Sequence, residues 1–352
     1  MIPNDIRSLI YKYLDIDIIE QLFYNIDDII IKKEYYNRFY VSYNYAEKSN
    51  FKHIIENINS DYTIYKKDLY KFKNLKYLLI EDDFFYVKKI KKIKLDNILK
   101  EYNSHIKLKE YMFPSSLIYI KFESRFNMLI RKNVLPTNLK YLYFGFYYNQ
   151  KIKKNILPNT LEHLEFDFCF NQKIKENVLP NTLRNLILSY NFNKEIKINV
   201  LPPNLKYLSL GGNFNQELNI GVLPDSIEYL YFSNKYNKII RKGVLPKKLK
   251  ILDLGFDFNQ IFDENVLPDS LEKLKFSYNY NNEIKENVLP KKLNKIEFGE
   301  DFDKEIKENI LPKSLKKIIF PISYTNEIKE NVLPDNMVYV RYGNKKFYIS
   351  SN

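Results

Sequence analysis

Asn177-Val178-Leu179-Pro180-Asn181-Thr182-Leu183-Arg184-Asn185-Leu186-Ile187-Leu188 is one copy of a phrase, Asn-Val-Leu-Pro-x-x-Leu-x-x-Leu-x-Leu/Phe, that recurs almost to the end of the chain. Its proline stands at 114, 136, 158, 180, 202, 224, 246, 268, 290, 312 and 334, always 22 residues apart. Only Pro3, Pro203 and Pro321 fall outside this frame. A fixed period of that size marks stacked units that bury their apolar sides against one another. It predicts a repeat solenoid.

Counted from each proline, position three is Leu, Ile or Met in every copy, from Leu117 through Ile227 to Met337. Position six is aliphatic (Leu142, Leu164, Leu186, Leu208), and position eight is Phe, Leu or Tyr (Phe144, Phe166, Leu188, Leu210). Six and eight alternate as strand residues do, with one side turned inward. Position three lies too far back to join that alternation, so the chain must bend after the proline. Position twelve is aromatic and thirteen is usually Asn, as in Phe170-Asn171, Phe192-Asn193, Phe214-Asn215 and Phe258-Asn259. Parallel strands lie about 4.8 Å apart, so the aromatics are expected to form a continuous internal ladder. The Asn is expected to bond backbone groups buried between coils, with Asp303 and Thr325 taking its place later. Three residues before the proline stands Asn, replaced at Gly221 and Gly243. Asn and Gly share a tolerance of positive φ, which predicts a left-handed residue there.

Leu-x-x-Leu-x-Leu is the strand signature of leucine-rich repeats. With Phe-Asn-x-x-Ile leading into Asn-Val-Leu-Pro, residues 111–342 resemble the FNIP repeat family, which is leucine-rich-repeat-like. The resemblance implies a parallel β-sheet on the concave face of the solenoid. Residues 343–352 are read as a C-terminal cap.

Residues 1–40 differ. Ile2, Ile6, Ile10, Leu14, Ile18 and Leu22 follow a spacing of four that suits one side of helical segments, with Pro3 in a first turn and Asp5 near its positive end. Ile2-Pro3-Asn4-Asp5-Ile6, Ile10 and Leu14-Asp15 resemble the F-box, with Arg38-Phe39 where that family often carries Trp or Phe after a basic residue. The resemblance implies a small α-helical module whose Ile2, Pro3, Ile6, Ile10, Leu14, Ile18 and Leu22 dock on a Skp-type adaptor of a cullin–RING ubiquitin ligase. The bland alternative is a helical cap on the first repeat. Residues 41–110 read as linker and degenerate capping coils, with Leu75-x-x-Leu78-x-Ile80 and Ile90-x-x-Ile93-x-Leu95 as imperfect strand signals.

Chemistry has little foothold. The only histidines are His53, His105 and His163, the only cysteine is Cys169, and there are eight glycines. One Cys with scattered His cannot supply a zinc site or a disulfide framework, and no phosphate-binding glycine loop occurs. His163 and Cys169 share a coil but need not meet. The reading is a non-enzyme without cofactors. No stretch reaches about 18 apolar residues, and the start lacks the order of a signal peptide. A soluble intracellular protein, cytoplasmic or nuclear and monomeric, is expected.

The outward positions five, seven and nine carry the binding expectation. Position five holds Tyr119, Tyr141, His163, Tyr207 and Tyr229, then Lys273, Lys295 and Lys317; position seven adds Tyr143, Tyr231 and Lys275. Tyr buries a large area while keeping a polar tip, which suits a target-binding face. Position nine is mostly Gly or Ser (Gly145, Ser189, Gly211, Ser233), expected to leave that edge open. The net charge of +13 and the lysine run suggest nucleic acid as a third class of partner. The alternating signs of Glu-Ile-Lys-Glu-Asn runs favour a solvated surface over a nucleic-acid stripe.

Overall fold

The 22-residue phrase folds as one turn of a parallel β-solenoid. The computed structural model describes residues 108, 110–111, 113, 115–122 and 124–342, together with the strands at 32–34, 38–40, 55–57, 77–80 and 345–348. The strands are β1 (Lys32–Glu34), β2 (Arg38–Tyr40), β3 (Ile55–Asn57), β4 (Tyr77–Ile80), β5 (Tyr119–Phe122), β6 (Tyr141–Phe144), β7 (His163–Phe166) and β8 (Asn185–Ile187). There follow β9 (Tyr207–Ser209), β10 (Tyr229–Tyr231), β11 (Ile251–Asp253), β12 (Lys273–Lys275), β13 (Lys295–Glu297), β14 (Lys317–Ile319), β15 (Tyr339–Tyr342) and β16 (Lys345–Tyr348). From β3 to β15 each strand pairs in parallel with the next, and β16 turns back antiparallel on β15 to end the sheet. Leu164, Leu186 and Leu208 stand directly beside one another on successive strands.

Each coil is short because its bends are built in. After each repeat proline from Pro136 to Pro334 the position-three amide donates to the proline carbonyl, as Leu183 N does to Pro180 O at 3.1 Å, closing the expected bend. Three residues before the proline, Tyr111, Asn133, Asn155, Asn177, Asn199, Asn265, Asn287 and Asn309 have φ between 55 and 66°, and Gly221 and Gly243 have 84 and 83°. The left-handed corner is present as expected. In the last coil Glu330–Val332 forms a 3-10 turn. No α-helix occurs among the described residues, so the return from strand to strand is extended chain and turns.

Inside, the side chains stack by position. Leu183, Leu186, Leu205 and Leu208 are fully buried. Position twelve forms the aromatic ladder: Phe170–Phe192, Phe192–Phe214 and Phe214–Tyr236 each have ring centroids 6.2 Å apart, nearly parallel. Position thirteen forms a second ladder. Asn171 Oδ1 accepts from Asn193 N at 3.0 Å, Asn193 Oδ1 from Asn215 N at 3.0 Å, and so on to Asp303, which accepts from Thr325 N at 2.8 Å. From Asn149 to Thr325 the position-thirteen amide thus finds an acceptor in the preceding coil.

One expectation changes. Position nine does not leave an open edge: Ser189, Ser233 and Ser277 are buried, and their hydroxyls donate to the carbonyls of Phe170, Phe214 and Phe258 in the preceding coil. The intervening Gly211, Gly255 and Gly299 give way to them, since a Cβ there would lie 2.0, 2.1 and 1.8 Å from the carbonyl oxygens of Ser189, Ser233 and Ser277. Upstream, two described strands continue the stack. β3 and β4 pair in the same 22-residue register (Ile55 with Tyr77), and β4 pairs directly with β5 (Leu78 with Ile120). The Leu78-x-Ile80 signal is therefore a strand of the solenoid, as expected of an imperfect early coil.

Ile2, Pro3, Ile6, Ile10, Leu14, Ile18 and Leu22 lie outside the described residues, as do Ile90, Ile93 and Leu95. Further along the same segment, β1 and β2 pair antiparallel, Glu34 with Arg38, so Arg38-Phe39 sits on a strand and not on a helix.

Candidate protein-binding face

The outward side of the sheet is set by strict register. Position five runs Tyr119, Tyr141, His163, Asn185, Tyr207, Tyr229, Ile251, Lys273, Lys295, Lys317 and Tyr339 on adjacent strands. The inward positions repeat one coil after another, and these outward ones do not. A uniform frame thus carries a non-uniform surface.

Its first part is aromatic. Tyr119 packs on Tyr143 at 5.1 Å, and Tyr143 on His163 at 4.8 Å. This contact buries two residues expected at the surface: Tyr143 is 5% exposed and His163 7%. Each is covered by rings from neighbouring coils, and both floor the site, leaving Tyr119 and Tyr141 half-buried above them. His163 Nε2 lies 3.5 Å from Glu165 Oε2 and makes no hydrogen bond. A second aromatic group holds Tyr207, Tyr229 and Tyr231, with Tyr207–Tyr231 centroids 5.1 Å apart and Tyr229 36% exposed.

The lysine run is less available than its spacing suggests. Lys275 pairs with Asp253 at 3.1 Å, Lys295 with Glu297 at 3.2 Å, and Lys317 Nζ lies 4.4 Å above the Tyr339 ring. Lys273 remains exposed. Ion pairs of this kind also run along the strand-entry edge, where Lys206 and Lys250 flank Glu228 and hold its carboxyl down to about 2.

Sequence reasoning missed an outer aromatic stripe at position ten. Phe146, Phe168 and Tyr190 stack with centroids 4.5 and 4.9 Å apart, and Phe256 stacks on Tyr278 at 4.5 Å. The signal was the aromatic two residues before each ladder ring, in coils that carry one.

Among the described residues no three His, Cys, Asp or Glu side chains could hold a metal ion. Burial and the neighbouring Asp167 push the Cys169 thiol up, which leaves it a poor nucleophile. Among the same residues no helix is long and apolar enough to cross a membrane.

The FNIP repeat profile matches residues 102–147, 126–169, 148–191, 170–213, 192–235, 214–257, 258–301 and 302–345. The chain belongs to the FNIP repeat family. Each FNIP match is two coils long, the same interval at which Ser and Gly alternate at position nine. Among solved structures, CroV588, described as a novel circular LRR protein, is similar at 30% identity over 77% of this chain and 53% of its own, with a TM-score of 0.44. YopM from Yersinia enterocolitica WA-314 is similar at 23% identity over 65% of this chain and 51% of its own, with a TM-score of 0.37. The FNIP chain thus spans about half the length of these two. No curated protein matches it.

Proposed function

We propose that this FNIP solenoid is a non-catalytic scaffold that holds a target protein on the outward face of its sheet. The carrying observation is the contrast between uniformly apolar inward positions and the changing outward row from Tyr119 to Tyr339. A repeat selected only for stacking has no need of that variety, whereas recognition of one shape does. The test is affinity capture with the intact chain, a Tyr207→Ala plus Tyr229→Ala variant, and a Lys197→Ala plus Lys285→Ala control away from the strands. Proteins held by the wild type and the control are expected to be lost from the face variant. Equal capture by all three would sink the proposal.

The finer reading is a substrate adaptor of a cullin–RING ubiquitin ligase, in which residues 1–40 dock on a Skp-type adaptor. Its support is the F-box-like pattern Ile2-Pro3-Asn4-Asp5-Ile6, Ile10 and Leu14-Asp15. On this reading the solenoid raises the local concentration of target and ligase, with no chemistry of its own. Recovery of the Skp-type adaptor by the wild type and its loss from an Ile6→Asp plus Leu14→Asp variant is the expected result. Equal recovery by both forms, or by neither, leaves a scaffold without a ligase link. Nucleic acid is the weaker partner class, since the carboxylates of Asp253 and Glu297 and the Tyr339 ring already engage three of the four lysines. A steep loss of affinity with salt would revive it.

A further inference from the structure

One constellation occurs twice on the sheet face, four coils apart. In the first copy Tyr119 packs on Tyr143, with ring planes at 37°. Tyr141 stands beside Tyr119, and Glu165 beside Tyr143. In the second copy Tyr207 packs on Tyr231 with planes at 32°. Tyr229 stands beside Tyr207, and Asp253 beside Tyr231. Each copy is three tyrosines and a carboxylate on adjoining strands, at the same positions of successive coils. Such a set suits an ammonium ion: ring faces are negative, and the carboxylate is an anionic acceptor in partly desolvated surroundings.

In the second copy the protein meets the carboxylate itself. Lys275 stands beside Asp253 in register and brings Nζ to 3.1 Å from Oδ2. Burial opposes the ammonium, but Asp253, with Glu297 and Tyr231, holds the Lys275 pKa above its ordinary value. Lys275 acts also on the Tyr231 hydroxyl, opposing its upward shift by burial, Asp253 and Tyr229. The face offers a further case of the same attraction in Lys317 over Tyr339.

In the first copy, the strand position that corresponds to Lys275 holds Ile187, beside Glu165. Glu165 faces the buried His163 instead, whose Nε2 is 3.5 Å away without a hydrogen bond. Asp167, two residues on, is pushed up by burial and by Glu165, with Lys121 opposing. No lysine stands beside Glu165 in register, and Lys121, on the far side of Tyr143, acts on Asp167.

We propose that Tyr119, Tyr141, Tyr143 and Glu165 form a subsite for a lysine side chain of the partner protein, in the place that Lys275 takes in the second copy. The inference rests on the protein-binding reading above and names the partner's chemistry at one spot. His163 floors the subsite, and its unpaired Nε2 adds a polar group beneath the incoming chain. Ammonium is favoured over guanidinium because the occupant of the second copy is itself a lysine.

The experiment titrates N-acetyl-lysine methylamide into the intact chain and follows the backbone amide resonances of Glu165 and Asp253. The same compound acetylated on Nζ is the neutral control. Saturable movement of the Glu165 amide with the charged probe, its absence with the neutral one, and a still Asp253 amide are expected. Ile187→Lys places an ammonium within the first copy and is expected to abolish the Glu165 response, as is Glu165→Gln. Lys275→Ile opens the second copy, so Asp253 should respond too. A Glu165 amide that stays still, moves equally with the neutral probe, or moves as before in Ile187→Lys overturns the proposal. So does a folded Lys275→Ile chain whose Asp253 stays silent. Because the probe is a single amino acid, these outcomes do not depend on capture of a target. Target capture lost in the face variant together with an inert Glu165 amide refutes only the lysine subsite.

Discussion

Replacing glycine by alanine at positions 221 and 255 places the same methyl group on two backbones of nearly the same φ, and the structure predicts very different costs. Gly221 has φ 84° and Gly255 has 76°, so alanine at either pays the left-handed penalty of about 1–2 kcal/mol. At Gly221 a Cβ meets nothing within 4 Å. At Gly255 it would lie 2.1 Å from the Ser233 carbonyl oxygen and 2.8 Å from its carbon. That oxygen belongs to the neighbouring coil's backbone, so the two coils must separate by about 1 Å where the hydrogen-bonded spacing is about 4.8 Å. Overpacking of this kind adds about 1–3 kcal/mol, which gives Gly255→Ala about 2–5 kcal/mol against about 1–2 for Gly221→Ala. Gly221→Asn should be close to neutral, since Asn fills that corner at 133, 155, 177 and 199 with φ of 58 to 66°. Gly299→Ala isolates the clash, because its Cβ would lie 1.8 Å from the Ser277 oxygen and its φ is not among the positive ones.

Urea unfolding measures the total, and native-state hydrogen exchange locates it. In a stack of nearest-neighbour units the damage should fall on the coils that touch, at Phe232 N, which donates to Asp253 O, and at Leu254 N, which donates to Lys275 O. If Gly255→Ala and Gly221→Ala cost the same, or Gly299→Ala costs less than about 0.5 kcal/mol, the steric account of the Ser/Gly alternation fails.

Three further outcomes are expected. Asn193→Ala removes the acceptor for Asn215 N and for Gln216 Nε2, at 3.0 and 2.8 Å, and should destabilise by about 1–3 kcal/mol, with Asn193→Asp costing less because Asp303 does the same work for Thr325; urea melts check both. Tyr148 and Tyr236 hold buried hydroxyls with no partner, whereas Tyr324 donates to Lys304 O at 3.0 Å. Tyr148→Phe and Tyr236→Phe should therefore raise stability by about 1 kcal/mol each and Tyr324→Phe should lower it. Burial pushes the Tyr148, Tyr236 and Tyr280 phenols far up, so their contribution is complete below pH 10, the unfolded value, and is lost as pH rises above it. Each should remove about 1.4 kcal/mol by pH 11, and the triple Phe variant should lack that slope in a melt series from pH 9 to 11.

What the chain shows on its face is whatever recurs within one period. Leu183, Leu186 and Leu188 could be assigned inward from one coil, and the corner at Asn177 needed only the exchange of Asn with Gly at 221 and 243. Position nine was misjudged because its meaning lies between coils. Ser233 and Gly255 look like two small residues at an open edge until stacking shows that the carbonyl of one occupies the Cβ space of the other. The ion pairing of the lysine run was hidden for the same reason: Lys275 and Asp253 are 22 residues apart in the chain and 3.1 Å apart in space. The period itself supplies the conversion, since residues one period apart are neighbours. Read that way, Tyr119, Tyr141, Tyr143 and Glu165 could have been matched with Tyr207, Tyr229, Tyr231 and Asp253 from the sequence alone, and Ile187 with Lys275. Two coils carry one alternation of Ser and Gly while four separate the tyrosine copies, so the frame and the face obey different periods. The inward period is set by what stacks. The outward one is free of that constraint, and it is there that a partner's shape can be written.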